Sequence, residues 1–228
     1  MKNHKTIWLV NIGEPLPFDK GKPHRMYSFM KLLKLNNYKT KFFTTDFEHQ
    51  KKQWLQDLPS DFVKLNSYIP YYKNISFRRI LNHLLVSFSF MIKIILIKEK
   101  PNAIIVSYPT ISLSLVSVLY SKIKNVKVIV DVRDLWPDIF IKSKTFNLIL
   151  WPLKIIKKYI IKNSICISIS PGYYSWAKSK DIDKSELKYI LPLSNSDRFS
   201  LVKSIDHKKN INFIFIGTLG ETYDLDLI

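Results

Sequence analysis

Short runs of β-branched and aromatic residues recur along the chain and predict strands at 6–12, 40–45, 61–68, 102–108, 126–132, 165–170 and 189–193. Most are separated by helix-length segments, among them 25–37, 78–100, 111–123 and 151–163. Several runs are apolar without strict alternation, which is typical of strands covered on both faces. The pattern therefore predicts an α/β fold with a doubly wound parallel sheet in residues 1–198.

The pattern changes after residue 198. Residues 199–210 are polar and basic and predict a linker, whereas 211–217 (INFIFIG) predicts a new strand that leads into a glycine loop. We expect residues 211–228 to form only the first strand and loop of an incomplete second domain.

Composition limits the classes of function. The chain has 228 residues, 46% of them hydrophobic, and one cysteine, Cys166, so an intrachain disulfide is excluded and a cytoplasmic setting is favoured. With 36 Lys and Arg against 18 Asp and Glu, the net charge of +18 favours a polyanionic partner, either nucleic acid or an anionic membrane face. No helix-turn-helix, zinc or RNP-type pattern occurs, so we expect no nucleic acid. The five histidines lack ligand spacing, so we expect no metal site.

Ligands of doubly wound sheets bind at the carboxyl ends of the strands, and the loop after the first strand is one candidate. Gly13 follows that strand, and Gly21, Pro23 and His24 lead into the helix at 25–37. Glycine and helix-start amides allow close approach of a phosphate, although no GxGxxG or Walker spacing is present. The alternative is that these residues only shape a turn.

Three further strand ends carry candidate chemistry. Pro109 closes the strand at 102–108, and Thr110 is a candidate cap for the next helix. The segment 168–172 (SISPG) leads from a strand into a helix and offers amides to an anion. The strand at 126–132 delivers Arg133 and Asp134 to the sheet edge, where they either face a ligand or pair with each other.

Four segments, taken in order, resemble the family 4 retaining glycosyltransferases of the GT-B fold, in particular the bacterial surface-polysaccharide branch. They are 131–138 (DVRDLWPD), 168–172 (SISPG), 190–199 (ILPLSNSDRF) and 215–225 (FIGTLGETYDL). The loop at 11–26 also resembles that family's loop after the first strand. The resemblance implies a Rossmann-like acceptor-binding domain at 1–198, joined to the start of a second, donor-binding Rossmann-like domain.

The resemblance further implies sugar transfer from a nucleotide-sugar, with retention, without a cofactor or essential metal, in O-antigen, capsule or exopolysaccharide biosynthesis. Asp134 and Arg133 are then the expected catalytic residues, in place of a histidine found in many relatives. Acceptor contacts are expected from His24, Pro109 and Trp136. Contacts to the donor phosphates or nucleotide are expected from Gly13, Gly217, Thr218 and Gly220.

The basic and Glu-x7-Glu elements that usually stabilise the leaving group belong to the donor domain. We expect this chain to be a fragment, a frameshifted product, or one subunit of a split enzyme whose donor domain is a separate chain. The alternative functions are a non-catalytic, membrane-bound acceptor subunit that positions such a partner and, from the net charge, a basic nucleic-acid-binding protein.

Two segments predict contact with a membrane that presents a lipid-linked acceptor on the cytoplasmic face. The helix at 151–163 carries Lys154, Lys157, Lys158 and Lys162 on one face and Ile155, Ile156, Tyr159 and Ile160 on the other, with Trp151 at its start. The alternative is an ordinary sheet-covering helix with a solvated lysine face. Segment 78–100 is more apolar, but Asn82, His83 and Lys93 interrupt it, so a helix partly buried and partly at the membrane interface is favoured over a span.

Overall fold

The computed structural model describes residues 5–14, 25–49, 51–54, 58, 60–73, 76–138, 148–170, 172–173 and 187–189. All of them belong to one compact unit, Met1–Ser194. The predicted linker at 199–210 and the predicted strand at 211–217 lie outside the described residues.

A seven-stranded sheet runs through the described part of the chain. Its strands are β1 (Thr6–Val10), β2 (Lys39–Thr45), β5 (Phe62–Leu65), β6 (Ala103–Tyr108), β7 (Lys127–Val132), β8 (Ile165–Ser168) and β9 (Leu187–Tyr189). The order is β5-β2-β1-β6-β7-β8-β9, and every neighbouring pair is parallel. The chain winds outward from β1 in one direction and from β6 in the other. The predicted doubly wound parallel sheet is therefore confirmed.

Helices cover both faces of this sheet. They are α1 (Arg25–Leu35), α2 (Phe77–Leu96), α3 (Ile111–Lys124) and α4 (Trp151–Lys162). Since alternate strand residues point to opposite faces, Trp8 and Val10 belong to a core with residues of α2, α3 and α4, whereas Ile7 and Leu9 pack with α1. Helix α1 thus lies on one side, and α2, α3 and α4 on the other.

Local chemistry explains where α2 and α3 begin and end. Ser76 precedes α2 with extended backbone, and its Oγ accepts a hydrogen bond from the amide of Arg79 at 3.2 Å. Helix α3 ends at Asn125, whose φ of 51° is left-handed and allows the chain to turn back into β7. Thr110 occupies the N-cap position of α3, but its side chain makes no capping hydrogen bond, so the predicted cap is wrong in that respect.

One feature of secondary structure was not predicted. The short strands β3 (Phe47–Glu48) and β4 (Gln53–Trp54) form an antiparallel pair between β2 and β5. Two-residue strands are too short to produce a period of alternation, so the hydrophobic pattern does not reveal them. This hairpin brings His49 and Lys52 toward the start of α2, which matters for the site.

A buried ion pair joins α1 to the centre of the sheet. Arg25 Nε and Nη2 donate to both carboxylate oxygens of Asp131 at 2.8–3.2 Å. The side chains are 7% and 0% exposed, respectively. The arrangement fixes the first residue of α1 beside the carboxyl end of β7, two residues before the candidate residue Arg133.

Candidate functional site

A cleft of about 300 Å³ opens at the carboxyl edge of the sheet. It lies where strand order reverses, since Asn11 and Gly13 follow β1, Pro109 and Thr110 follow β6, and Arg133 and Asp134 follow β7. In open parallel sheets this reversal is where ligands bind, because the adjacent loops diverge and leave a crevice. Four sequence-predicted residues, Gly13, Pro109, Arg133 and Asp134, line this one cleft.

Arg133 is held by a carboxylate of the loop after β1. Its Nη1 forms an ion pair with Glu14 Oε1, and the amide of Met26 donates to Glu14 Oε2 at 2.9 Å. Burial raises the pKa of Glu14, while the Arg133 guanidinium opposes that rise. Glu14 therefore connects the β1 loop, the start of α1 and the end of β7, and Arg133 pairs with Glu14 instead of with Asp134, the alternative that the sequence left open.

Asp134 keeps part of its carboxylate available in the cleft. Its Oδ1 accepts a hydrogen bond from the amide of Leu135 at 2.8 Å. Within the described residues, no further hydrogen bond or ion pair to this carboxylate is formed. The local bond orients the side chain at the sheet edge, so the second oxygen can accept a hydrogen bond from a hydroxyl of a bound molecule.

The β1 loop offers an unsatisfied donor and open space. Asn11 is 4% exposed, and its Oδ1 accepts from the amide of Gly13 at 3.1 Å. Its Nδ2 has no hydrogen-bond partner in the described part of the chain, which is costly for a buried donor unless a ligand supplies an acceptor. A Cβ added at Gly13 would meet only Asn11 Oδ1, at 4.0 Å, so a ligand atom can come close to this backbone.

The opposite wall is a cluster that the sequence did not reveal. His49, Tyr71, Arg79 and His83 all line the cleft. His49 Nδ1 and the Tyr71 hydroxyl share a hydrogen bond of 2.7 Å, and the Tyr71 ring meets the His83 ring edge-on, 6.2 Å between centroids. Lys52 Nζ lies 4.9 Å from the centroid of the same tyrosine ring. We call these five residues the histidine wall.

Both histidines of the wall are neutral at physiological pH. Burial, followed by the charges of Arg79 and Lys52, lowers the pKa of His49 to about 4. Burial, followed by Arg79 and His49, lowers the pKa of His83 to about 3. Neutral imidazoles donate and accept hydrogen bonds, but bases this weak are poor proton acceptors. The histidine wall is therefore suited to holding a polar ligand rather than to deprotonating it.

These depressed pKa values predict a specific loss of stability in acid. As the pH falls from 6.5 to 4, the unfolded chain protonates His49 and His83 while the folded chain does not, so protons favour unfolding. We expect the thermal midpoint to fall across this range. In the double variant His49→Gln, His83→Gln the decline should be shallower.

The measurement is thermal unfolding at a series of pH values for the parent and the double variant. His207→Gln serves as the control, since residue 207 belongs to the predicted linker at 199–210 and not to the histidine wall. Parallel curves for the parent and the double variant would contradict the prediction.

Trp136 does not line the cleft. It packs half-buried against the core, and its carbonyl oxygen accepts a hydrogen bond from the Tyr108 hydroxyl. Burial is the main cause that raises the pKa of Tyr108, so this phenol stays protonated and keeps donating. Trp136 thereby fixes the segment that carries Arg133 and Asp134. His24, Gly217, Thr218 and Gly220 lie outside the described residues.

The surface of α4 differs from the predicted division into a basic and an apolar face. Lys157 turns inward and pairs with Asp138, whereas Ile155 is exposed and Ile161 is buried. The difference arises because α4 packs against α3 and the sheet through Leu153, Ile160 and Ile161. Trp151, Lys158 and Lys162 remain exposed, beside Ile155.

Among the residues that the structure describes, no group of three or more His, Cys, Asp or Glu side chains could hold a metal ion.

Comparison with known proteins finds similarity among solved structures. No family model and no curated protein matches the chain. Among solved structures, a sucrose-phosphate synthase from Thermosynechococcus elongatus matches with a TM-score of 0.53 and 13% identity, covering 84% of this chain and 91% of that one. At this identity the likeness concerns the fold, and it confirms the Rossmann-like α/β class predicted from the sequence.

Proposed function

We propose that this protein is a glycosyltransferase whose cleft binds the sugar acceptor. The observation that carries the proposal is the cleft itself, where β1, β6 and β7 end together and present a carboxylate, a guanidinium and an unsatisfied amide. The proposal is also supported by the likeness in fold to a protein named for the synthesis of sucrose phosphate. The sequence resemblance to family 4 glycosyltransferases points the same way.

Sugar hydroxyls both donate and accept hydrogen bonds, and the cleft offers partners for both. Asp134 accepts, Arg133 and Asn11 donate, and the neutral imidazoles do either. Binding through several directional contacts holds one acceptor hydroxyl toward the donor, which is a large part of the catalysis of a transfer between two substrates.

In the proposed reaction the acceptor hydroxyl oxygen forms a bond to the anomeric carbon of a nucleotide-sugar. The bond from that carbon to the phosphate oxygen breaks, and the nucleoside diphosphate leaves with the bonding electrons. The hydroxyl proton is released toward Asp134, which also orients the acceptor. The proposal includes retention of the anomeric configuration because the chain resembles a family of retaining glycosyltransferases.

Substitutions at Gly13 test whether the nucleotide-sugar binds close to the loop after β1. Gly13→Ala should leave the fold unchanged, because the new Cβ meets only Asn11 Oδ1 at 4.0 Å. A bulkier Gly13→Val narrows the cleft and should raise the KM for the nucleotide-sugar by about tenfold, roughly 1.4 kcal/mol of lost binding. Steady-state kinetics with varied donor measure this effect.

Gly172→Val is the matched control. Gly172 is also exposed and also follows a strand, at the start of a helical segment; its added Cβ meets only Ser170 Oγ at 3.8 Å, and it does not line the cleft. Equal changes in the KM of the two valine variants would show that Gly13 has no special place near the donor.

The finer proposal is a role in surface-polysaccharide biosynthesis on a lipid-linked acceptor at the cytoplasmic membrane face. Its test is transfer of labelled sugar from UDP-glucose, UDP-N-acetylglucosamine, GDP-mannose or a similar donor into the lipid fraction of bacterial membranes. The chain is assayed alone and co-expressed with a candidate donor-domain subunit. Transfer by the co-expressed pair but not by the chain alone supports the split-enzyme form. If neither the chain nor the pair transfers sugar, the proposed function is contradicted.

A further inference from the structure

The outward side of α2 is apolar along its whole length. Its exposed large apolar side chains are Phe77, Ile80, Leu84, Phe88, Met91, Ile92, Ile95 and Leu96. Most recur at intervals of three or four residues, so they form a single stripe along the helix. A surface helix of a water-soluble domain normally turns polar side chains outward, and a continuous apolar stripe marks a surface that contacts something else.

The inward side of α2 combines apolar and small polar side chains and packs against the rest of the fold. Val86, Phe90 and Ile94 are buried in the core shared with β1 and β6. Asn82 donates hydrogen bonds to Ser67 Oγ and to the carbonyl oxygen of Ile69. By length and composition α2 could cross a membrane: the mean hydropathy of its apolar stretch is 1.6, and a third of that stretch is buried in the protein. Crossing would break this packing, so the structure favours a helix lying along a surface.

The stripe continues onto the neighbouring helices. Helix α2 packs against α3, and α3 packs against α4, all on the same side of the sheet. Leu119 and Ile123 of α3 are exposed, as are Trp151 and Ile155 of α4. We call the outward sides of these three helices the apolar face.

Charge favours one occupant for the apolar face. Helix α2 has three basic residues, α3 has two and α4 has four, and none of these helices contains an acidic residue. Of these basic residues, Arg79 lines the cleft and Lys157 pairs with Asp138, which leaves seven. An anionic lipid surface complements this combination, because its acyl region accepts the apolar stripe and its headgroups attract the surrounding lysines and arginines. Exposed tryptophan, as at Trp151, is also typical of the interface between headgroups and acyl chains.

We infer that the apolar face is a membrane-binding surface on which α2 lies in the plane of an anionic bilayer. This deepens the proposed function and rests on it for the lipid-linked acceptor. Arg79 and His83, from the same helix, line the cleft, so α2 has the acceptor site on one side and the bilayer on the other. A sugar carried by a lipid in the bilayer then reaches the cleft around one helix.

The test is flotation of the full chain with vesicles of phosphatidylethanolamine and phosphatidylglycerol, which needs neither donor nor acceptor. The double variant Leu84→Glu, Phe88→Glu should reduce the bound fraction by about tenfold or more, because it places charge in the acyl region. Both side chains are exposed, so the thermal midpoint should stay unchanged.

The matched control is Leu32→Glu, Leu35→Glu. It introduces the same charge at two exposed leucines of α1, on the opposite side of the sheet. Vesicle binding by this variant should fall far less. If both double variants lose binding equally, the effect is one of net charge and the assignment to the apolar face is overturned.

A second measurement separates a helix in the membrane plane from a spanning one. Single cysteines at Phe77, Leu84 and Ile95, with the buried Cys166 changed to Ser, carry an environment-sensitive label. The outer two sites are about 27 Å apart along the helix axis. Equal, shallow quenching by lipid-borne quenchers at all three is expected, and deep quenching at Leu84 alone would overturn the in-plane arrangement.

Other occupants of the apolar face give distinct results. Suppose that the parent chain sediments as a dimer, the Leu84→Glu, Phe88→Glu variant sediments as a monomer, and neither binds vesicles. The apolar face would then be the contact with a second copy of the chain. Retention of a nucleic acid at physiological salt, without vesicle binding, would assign the basic surface to that polymer. Either outcome overturns the membrane proposal while sugar transfer is tested separately.

Discussion

Asp134→Asn is expected to lower turnover by a factor of about 10² to 10⁴, the usual contribution of a positioned acid or base. The substitution preserves the shape of the side chain and the oxygen that accepts from the Leu135 amide at 2.8 Å. It removes the negative charge that would receive the acceptor proton or orient the hydroxyl. Stability should therefore be unchanged while kcat falls. The measurement is sugar transfer by the form of the enzyme that proves active, alone or with a donor-domain partner.

Asp138→Asn is the control for Asp134→Asn. Asp138 lies four residues further on and pairs with Lys157 rather than lining the cleft. Its loss should lower stability, because the Asp138 and Lys157 side chains are only 24% and 14% exposed, but it should leave turnover near normal. If turnover of Asp134→Asn is within threefold of the parent, the cluster after β7 is a scaffold and the acceptor site lies elsewhere.

Asp131→Asn should reduce the free energy of unfolding by about 3–5 kcal/mol. The substitution leaves the Arg25 guanidinium buried beside an uncharged amide, and a buried charge without its counterion is costly. Because small domains are stable by only about 5–15 kcal/mol, the variant should unfold at much lower denaturant concentration. Urea denaturation followed by circular dichroism measures the difference.

The exposed pair Lys34–Asp61 supplies the comparison for the buried one. Its side chains are 40% and 55% exposed, so Asp61→Asn should change stability by no more than about 1 kcal/mol. Replacing both members of the buried pair, as in Arg25→Met, Asp131→Leu, should cost less than Asp131→Asn alone, because no unpaired charge remains. If the double variant loses more stability than Asp131→Asn, the shape of the side chains at this position, rather than their charge, determines the loss of stability.

Much of the fold was predictable because parallel strands that are covered on both faces consist of continuous apolar runs in the sequence. The runs at 40–45, 102–108 and 126–132 coincide closely with β2, β6 and β7. Helix α3, predicted at 111–123, was found at Ile111–Lys124. Where the elements are short, as in the β3–β4 hairpin, too few residues exist to show a period.

The candidate site was predictable on one side only. Gly13, Pro109, Arg133 and Asp134 could be placed at strand ends because the positions of the strands were clear, and the topology then brings these ends to one edge. The histidine wall could not be found in this way. His49 follows a two-residue strand, and His83 lies inside α2, where a histidine in an apolar segment gives no sign of which way it faces.

The sequence by itself determined the parallel α/β sheet, the residues at its carboxyl edge and the excess of positive charge, because these follow from local periodicity and composition. Tertiary structure alone decided which charges meet. Arg133 pairs with Glu14 and Arg25 with Asp131, across 119 and 106 residues of chain. It also decided that α2 turns one apolar side to the core and the other outward. The physical reason is that such contacts depend on which elements become neighbours in space, and a pattern of residues along the chain does not record that.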